Sequence, residues 1–65
     1  MIPPFDLFLV ENNEATWLAS AESLVQALEI ARKRGHGAYA VFSHVYGTKM
    51  LYEVDLSGRI IPRRE

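Results

Sequence analysis

No cysteine occurs in the 65 residues, which excludes disulfides and thiolate metal sites and suits a reducing compartment. The two histidines are too few to build a structural zinc site once thiolates are gone. There is also no excess of positive charge. Seven Lys and Arg stand against eight Asp and Glu, for a net charge of −1, whereas a general nucleic-acid binder carries a clear basic balance. No apolar run is long enough to span a bilayer. The opening MIPPFDLFLVE lacks a basic start, and Asp6 and Glu11 bracket its apolar run, so it is not read as a signal peptide. A cytoplasmic protein with no membrane partner is the expectation. The chain contains no phosphate loop, no dinucleotide fingerprint and no His-Glu-x-x-His pattern, so no cofactor is expected.

What is present is the composition of an ordered domain: 49% apolar and 23% charged residues, outside the range of disordered chains. Residues 1–65 make a single small α+β domain. A domain of this size buries only about 60% of the surface its unfolded chain exposes. Such folds add a disulfide, a metal or a second subunit. With the first two excluded, association with another copy is the expected support.

Residues 1–4 form an irregular lead-in, because Pro3 and Pro4 cannot donate to a ladder and favour extended backbone. FDLFLVE (5–11) is rich in strand formers. Phe5, Leu7 and Leu9 make one face; Phe8 and Val10 make the other, interrupted only by Asp6. A strand apolar on both sides is covered on both sides. NNEA (12–15) is turn chemistry, and TWLAS (16–20) returns as a short second strand, with either Trp17 or Leu18 facing the helix. Ser23 and Gln26 fit a capping box that opens a helix of about eleven residues, as helical periodicity from Leu24 suggests. Leu24, Ala27, Leu28 and Ala31 form its apolar stripe, and Ile30 sits half exposed beside it. Arg32, Lys33 and Arg34 complement the dipole at its end, where Gly35 or Gly37 provides the stop.

GAYAVFSHVYGTKMLYEVDLSG (37–58) reads as a hairpin turned at Gly47. An even loop places Tyr39, Val41 and Ser43 on the same side as Met50, Tyr52 and Val54, toward the helix. Phe42, His44, Tyr46, Leu51, Glu53 and Asp55 then face the other way. RIIPRRE (59–65) is a tail or short edge segment, because Pro62 limits pairing. The expectation is therefore ββαββ, a four-stranded mainly antiparallel sheet with one helix on one face.

The stretches W-L-A-S-A-E-S-L-x-x-A (17–27), Y-A-V-F (39–42) and L-Y-E-V-D (51–55) give the chain a resemblance, over residues 5–58, to small uncharacterised bacterial proteins built as hairpin, helix, hairpin. The resemblance implies the fold and brings no catalytic residues with it. The S-L-x-x-A-L-x-x-A helix start is similar to that of antitoxin-like small proteins.

The two-faced strands set the functional expectation. One helix covers one face, and nothing else in the chain covers the other. A contiguous apolar patch of that kind marks an interface, and a two-fold homodimer is the commonest way to close one. Phe8, Val10, Phe42, His44, Tyr46 and Leu51 are the expected interface residues, in a protein-binding module that is not an enzyme. Another protein is a further candidate partner. His44 with Glu53 is the one arrangement resembling a base held by a carboxylate. Ser43 points to the opposite face, so no Ser-His pair forms. His36, between two glycines, is expected in an exposed loop. The alternative is single-stranded nucleic acid stacked on Phe8, Phe42 and Tyr46, with Lys49, Arg59, Arg63 and Arg64 on phosphates. Asp6, Glu53 and Asp55 on or near that face oppose it.

Overall fold

The computed structural model describes residues 2–63. Its elements run β1 (Phe5–Glu11), β2 (Glu14–Ala21), α1 (Leu24–Arg34), β3 (Gly37–Ser43), β4 (Thr48–Val54) and β5 (Ile60–Arg63). All strands join one antiparallel sheet in the order β2-β1-β3-β4-β5. The α+β class stands, but the sheet has five strands where four were expected. The fifth comes from the segment read as a tail. Asp55 makes it: its carboxylate accepts from the amides of Ser57 (3.0 Å) and Arg59 (2.9 Å) and from the Ser57 hydroxyl (2.7 Å). These bonds fold residues 55–59 into a tight reversal that lays Ile60–Arg63 along β4. Pro62 is tolerated because β5 is an edge strand, where one side of the backbone needs no partner.

The first turn is tighter than NNEA suggested. Asn12 and Asn13 both take positive φ (52° and 65°), the two-residue turn whose twist matches a hairpin, so β2 begins at Glu14. The second hairpin has the even loop, His44 to Gly47, between paired Ser43 and Thr48. Gly47 lies at φ 66° and its amide donates to the Ser43 carbonyl at 2.8 Å. Tyr39 pairs with Tyr52 and Val41 with Met50, so the expected register holds.

The strands β2 and β3 flank β1 and run parallel to each other, so α1 crosses over β1 to connect them. Ser23 caps the helix, accepting from the Gln26 amide at 3.1 Å. The Gln26 side chain reaches back to the Glu22 amide at 2.6 Å, one residue earlier than the simplest capping box. At the other end Gly35 adopts φ 122° and donates to the Ala31 carbonyl at 3.2 Å. The buried Tyr39 hydroxyl donates to the Gly35 carbonyl at 2.9 Å and accepts from Arg34 at 3.4 Å, which ties the helix end to the middle of β3.

The core is the contact of Leu7, Leu9, Tyr39, Val41 and Val54 with Ala21, Ala27 and Ala31. The helix meets the sheet through alanines, so it lies close, over β1, β2 and β3. Leu24, Leu28 and Ile30 are half-buried along its flanks. Ser43 is fully buried in this layer, its hydroxyl accepting from the Tyr46 amide. Two expectations on stability follow, both measurable by urea unfolding. Leu7→Ala, at a fully buried site, costs about 2–5 kcal/mol. Ala31→Leu drives an isobutyl group into a helix–sheet contact shaped around a methyl and costs about 1–3 kcal/mol. An Ala31→Leu variant as stable as wild type would show that the helix does not seat through its alanines.

Candidate functional site: the open face of the sheet

The face away from α1 carries three rows of side chains, fixed by the strand register. The first holds Ser20, Asp6, Phe42 and Lys49; the second Trp17, Phe8, Ala40, Leu51 and Arg63; the third Ala15, Val10, Ala38, Glu53 and Ile61. No element of the described residues covers them. Ala38 is solvent-exposed although it lies on the central strand. Phe8, Val10, Phe42 and Leu51 are half-buried. Small side chains at Ala38 and Ala40 set a floor along β3, and the larger neighbours on β1 and β4 wall it. The third row opens into a concavity of about 280 Å³, whose lining includes Val10, Ala38, Leu51, Glu53 and Arg63. Glu53 and Arg63 form an ion pair at its margin.

The opposite end of the face is polar and closely bonded. Asp6 accepts from Trp17 Nε1 at 3.0 Å, from the Ser20 hydroxyl at 3.0 Å, and from His44 Nε2 at 2.5 Å. The ring of His44 also meets Phe42 edge-on, with centroids 4.9 Å apart, a favoured aromatic geometry. Its backbone amide donates to the Pro4 carbonyl at 2.8 Å. One carboxylate thus joins β1, β2 and the β3–β4 turn. Its carboxyl is held below the ordinary range, first by the His44 hydrogen bond, then by that of Trp17, with Ser20 and the charge of His44 adding to them against the opposing effect of burial. A β-bulge makes this cluster possible. The β1–β2 register shifts between Leu7 and Phe8, so Leu18 packs, half-buried, against the core while Trp17 stays on the open face, 56% exposed.

Of the expected interface residues, Phe8, Val10, Phe42 and Leu51 lie on this face. His44 and Tyr46 do not belong to a strand: both sit in the β3–β4 turn. His44 reaches the face through Asp6, and Tyr46 projects into solvent, 79% exposed. Asp55 is likewise in a turn and serves the β5 reversal. The carboxylate beside His44 is Asp6 rather than Glu53, which pairs with Arg63. The signal was in the sequence: Asp6 is the only polar residue interrupting the second face of β1. Ser20 bonds to Asp6 and not to His44, and Ser43 is buried on the helix side. His36 is exposed beyond the helix end. Of the candidate phosphate contacts, Lys49 lies at one end of the face, Arg59 in the β4–β5 turn, and Arg63 is paired; Arg64 lies outside the described residues. Among the described residues no three His, Asp or Glu side chains converge as metal ligands, and no helix is long and apolar enough to cross a membrane.

The Asp6 cluster has a pH signature. Its folded-state pKa is lowered, so its contribution is present above the unfolded value of about 3.9 and is lost as pH falls through the folded value. Asp6→Asn mimics the protonated form. At neutral pH it is expected to cost about 1 kcal/mol, less than the usual range for hydrogen bonds to a charge because Trp17 and His44 remain partly exposed. The stability gap between wild type and Asp6→Asn then closes under acid. Asp55 and Glu29, also held low by their partners, titrate in both proteins and cancel. Emission of the single tryptophan, Trp17, follows the same change through its indole N–H. A gap that stays constant down to unfolding would contradict the assignment. Compared with known proteins, the chain matches no family model, no curated protein and no solved structure.

Proposed function

We propose that this chain is a small non-enzymatic interaction module that associates with a second copy of itself through the open face of its sheet. The observation that carries the proposal is the exposed Ala38 and the half-buried Phe8, Val10, Phe42 and Leu51 on strands at the middle of a sheet. Burying such positions is what a sheet's second layer does, and a contiguous apolar patch is where soluble proteins meet partners. Size supports a second copy as the layer. Four strands of seven or eight residues and a β5 of four, about 4.8 Å apart, give a face of at most roughly 24 Å by 24 Å in plan. Side-chain corrugation raises its accessible area toward the roughly 800 Å² per partner of a standard interface. The charge on the face is balanced, Asp6 and Glu53 against Lys49 and Arg63, which suits self-association better than a phosphate backbone.

A face of this size with few charges supports a dissociation constant of about micromolar order. Sedimentation velocity over a range from about 1 to 500 μM is expected to show a monomer–dimer equilibrium. Phe42→Asp places a charge in the first row and is expected to hold the chain monomeric with its circular dichroism unchanged. A wild type that remains monomeric throughout would refute the proposal. Salt-sensitive binding of a labelled single-stranded oligonucleotide, lost on Phe42→Ala, would replace it with the nucleic-acid alternative.

A further inference from the structure

We infer that the second copy docks with its strands reversed, about a two-fold axis that runs across the strands along the row of Phe8, Ala40 and Leu51. The inference rests on the self-association proposed above and assigns its geometry. An axis in the plane between two facing sheets, directed across the strands, lays each strand over itself in the opposite direction. A residue two positions before the central row then meets the residue two positions after it on the other copy. On β3 this sets Phe42 over Ala38, and on β4 it sets Lys49 over Glu53.

Both matches are complementary, and both follow from the one exchange of rows; along the axis Phe8, Ala40, Leu51 and Arg63 meet their own copies, each Arg63 already paired with its own Glu53. Phe42 is the half-buried aromatic of the open face on β3, its ring edge-on to His44, and Ala38 is the exposed floor of the 280 Å³ concavity. The knob and the hole lie on one strand at equal distances from the row, and the axis brings them together twice. Lys49 is exposed and has no ion-pair partner among the described residues, while Glu53 stands at the rim of that same concavity with Arg63. Packed sheets cross at about 30°. That displaces the meeting pairs by a few ångströms, within reach of a lysine and within the width of the concavity. On β1, Asp6 comes to lie over Val10; its oxygens already hold Trp17, Ser20 and His44, so the carboxylate enters the interface with its partners in place. Either axis sets Ala40 on Ala40. An axis along β3 would also set Ala38 on Ala38 and Phe42 on Phe42, leaving the concavity unfilled, and would turn Lys49 toward Asp6, whose oxygens already hold three donors.

Charge reversal with mixing tests the pairing. Lys49→Glu alone gives two like-charged contacts in its dimer, as does Glu53→Lys alone. Each is expected to weaken dimerisation by at least about tenfold, since like charges facing across an interface are costly. In a one-to-one mixture, the Lys49→Glu copy is acidic at both positions and the Glu53→Lys copy is basic at both. Every contact between position 49 of one copy and position 53 of the other then joins opposite charges, and affinity is expected to return to near the wild-type value. The double variant is expected to dimerise with itself. Shape gives a second, uncharged version: Ala38→Phe and Phe42→Ala each weaken association alone and recover it when mixed, because the knob and the hole are divided between the copies. Sedimentation velocity reads all of these, with circular dichroism to confirm folding. Recovery on mixing in both pairs supports the geometry. A wild-type dimer whose variants associate no better mixed than alone overturns the pairing and leaves self-association standing. A monomeric wild type overturns both.

Discussion

Side chains leave β1 alternately to the two sides of the sheet, and β1 is flanked by β2 and β3. Leu7 and Leu9 go to the helix; Asp6, Phe8 and Val10 go the other way. Because β1 is an interior strand, neither set reaches the sheet's edge, and its second set stands on the open face. Among the described residues there is one helix to offer. Its placement over β1, β2 and β3, seated through Ala27 and Ala31, covers one side of these strands and leaves the other side open. Register, core composition and open face all descend from this alternation.

Asp6 is the exception that makes the open face orderly. An ionised carboxylate among Phe8, Phe42 and Trp17 would be costly without partners. Here it has three donors, drawn from β2 and from the β3–β4 turn. The bulge at Leu18 is part of the same arrangement: the extra residue lets an apolar side chain pack against the core while the indole remains on the far side, where its N–H meets the carboxylate. Bulges commonly re-aim side chains in this way. The cluster ties one end of the sheet together and sets Phe42 against the His44 ring.

The two ends of the open face therefore differ. One is filled, polar and bonded within the chain; the other is hollow and rimmed by an ion pair. In the proposed dimer, the aromatic at one end meets the depression at the other when the face is reversed, as an isologous two-fold contact requires. For a domain this small, where burial within one chain is limited, association would also add to fold stability by mass action.

Local chemistry was enough to place most elements from the sequence. Ser23 and Gln26 marked the start of the helix, the run of basic residues with Gly35 or Gly37 its end, and the periodicity of Leu24, Ala27, Leu28 and Ala31 its apolar stripe, of which Ala27 and Ala31 are the fully buried members. Period-two alternation around Gly47 gave the hairpin register, because an even loop was the one that kept Tyr39, Val41 and Val54 on a common side. These features act between residues close in the chain, so the chain order displays them. The fifth strand, the bulge and the Asp6 cluster were settled only in three dimensions. Pairing of β5 depends on a reversal around Asp55 that brings Ile60–Arg63 back beside β4, and Pro62 is acceptable there only because β5 lies at the sheet's edge. Trp17 and Leu18 are adjacent apolar residues, and which one packs against the core is decided by the fit of β2 to β1. Asp6 and His44 stand 38 residues apart; strand order alone brings them together, and strand order is a property of the whole sheet.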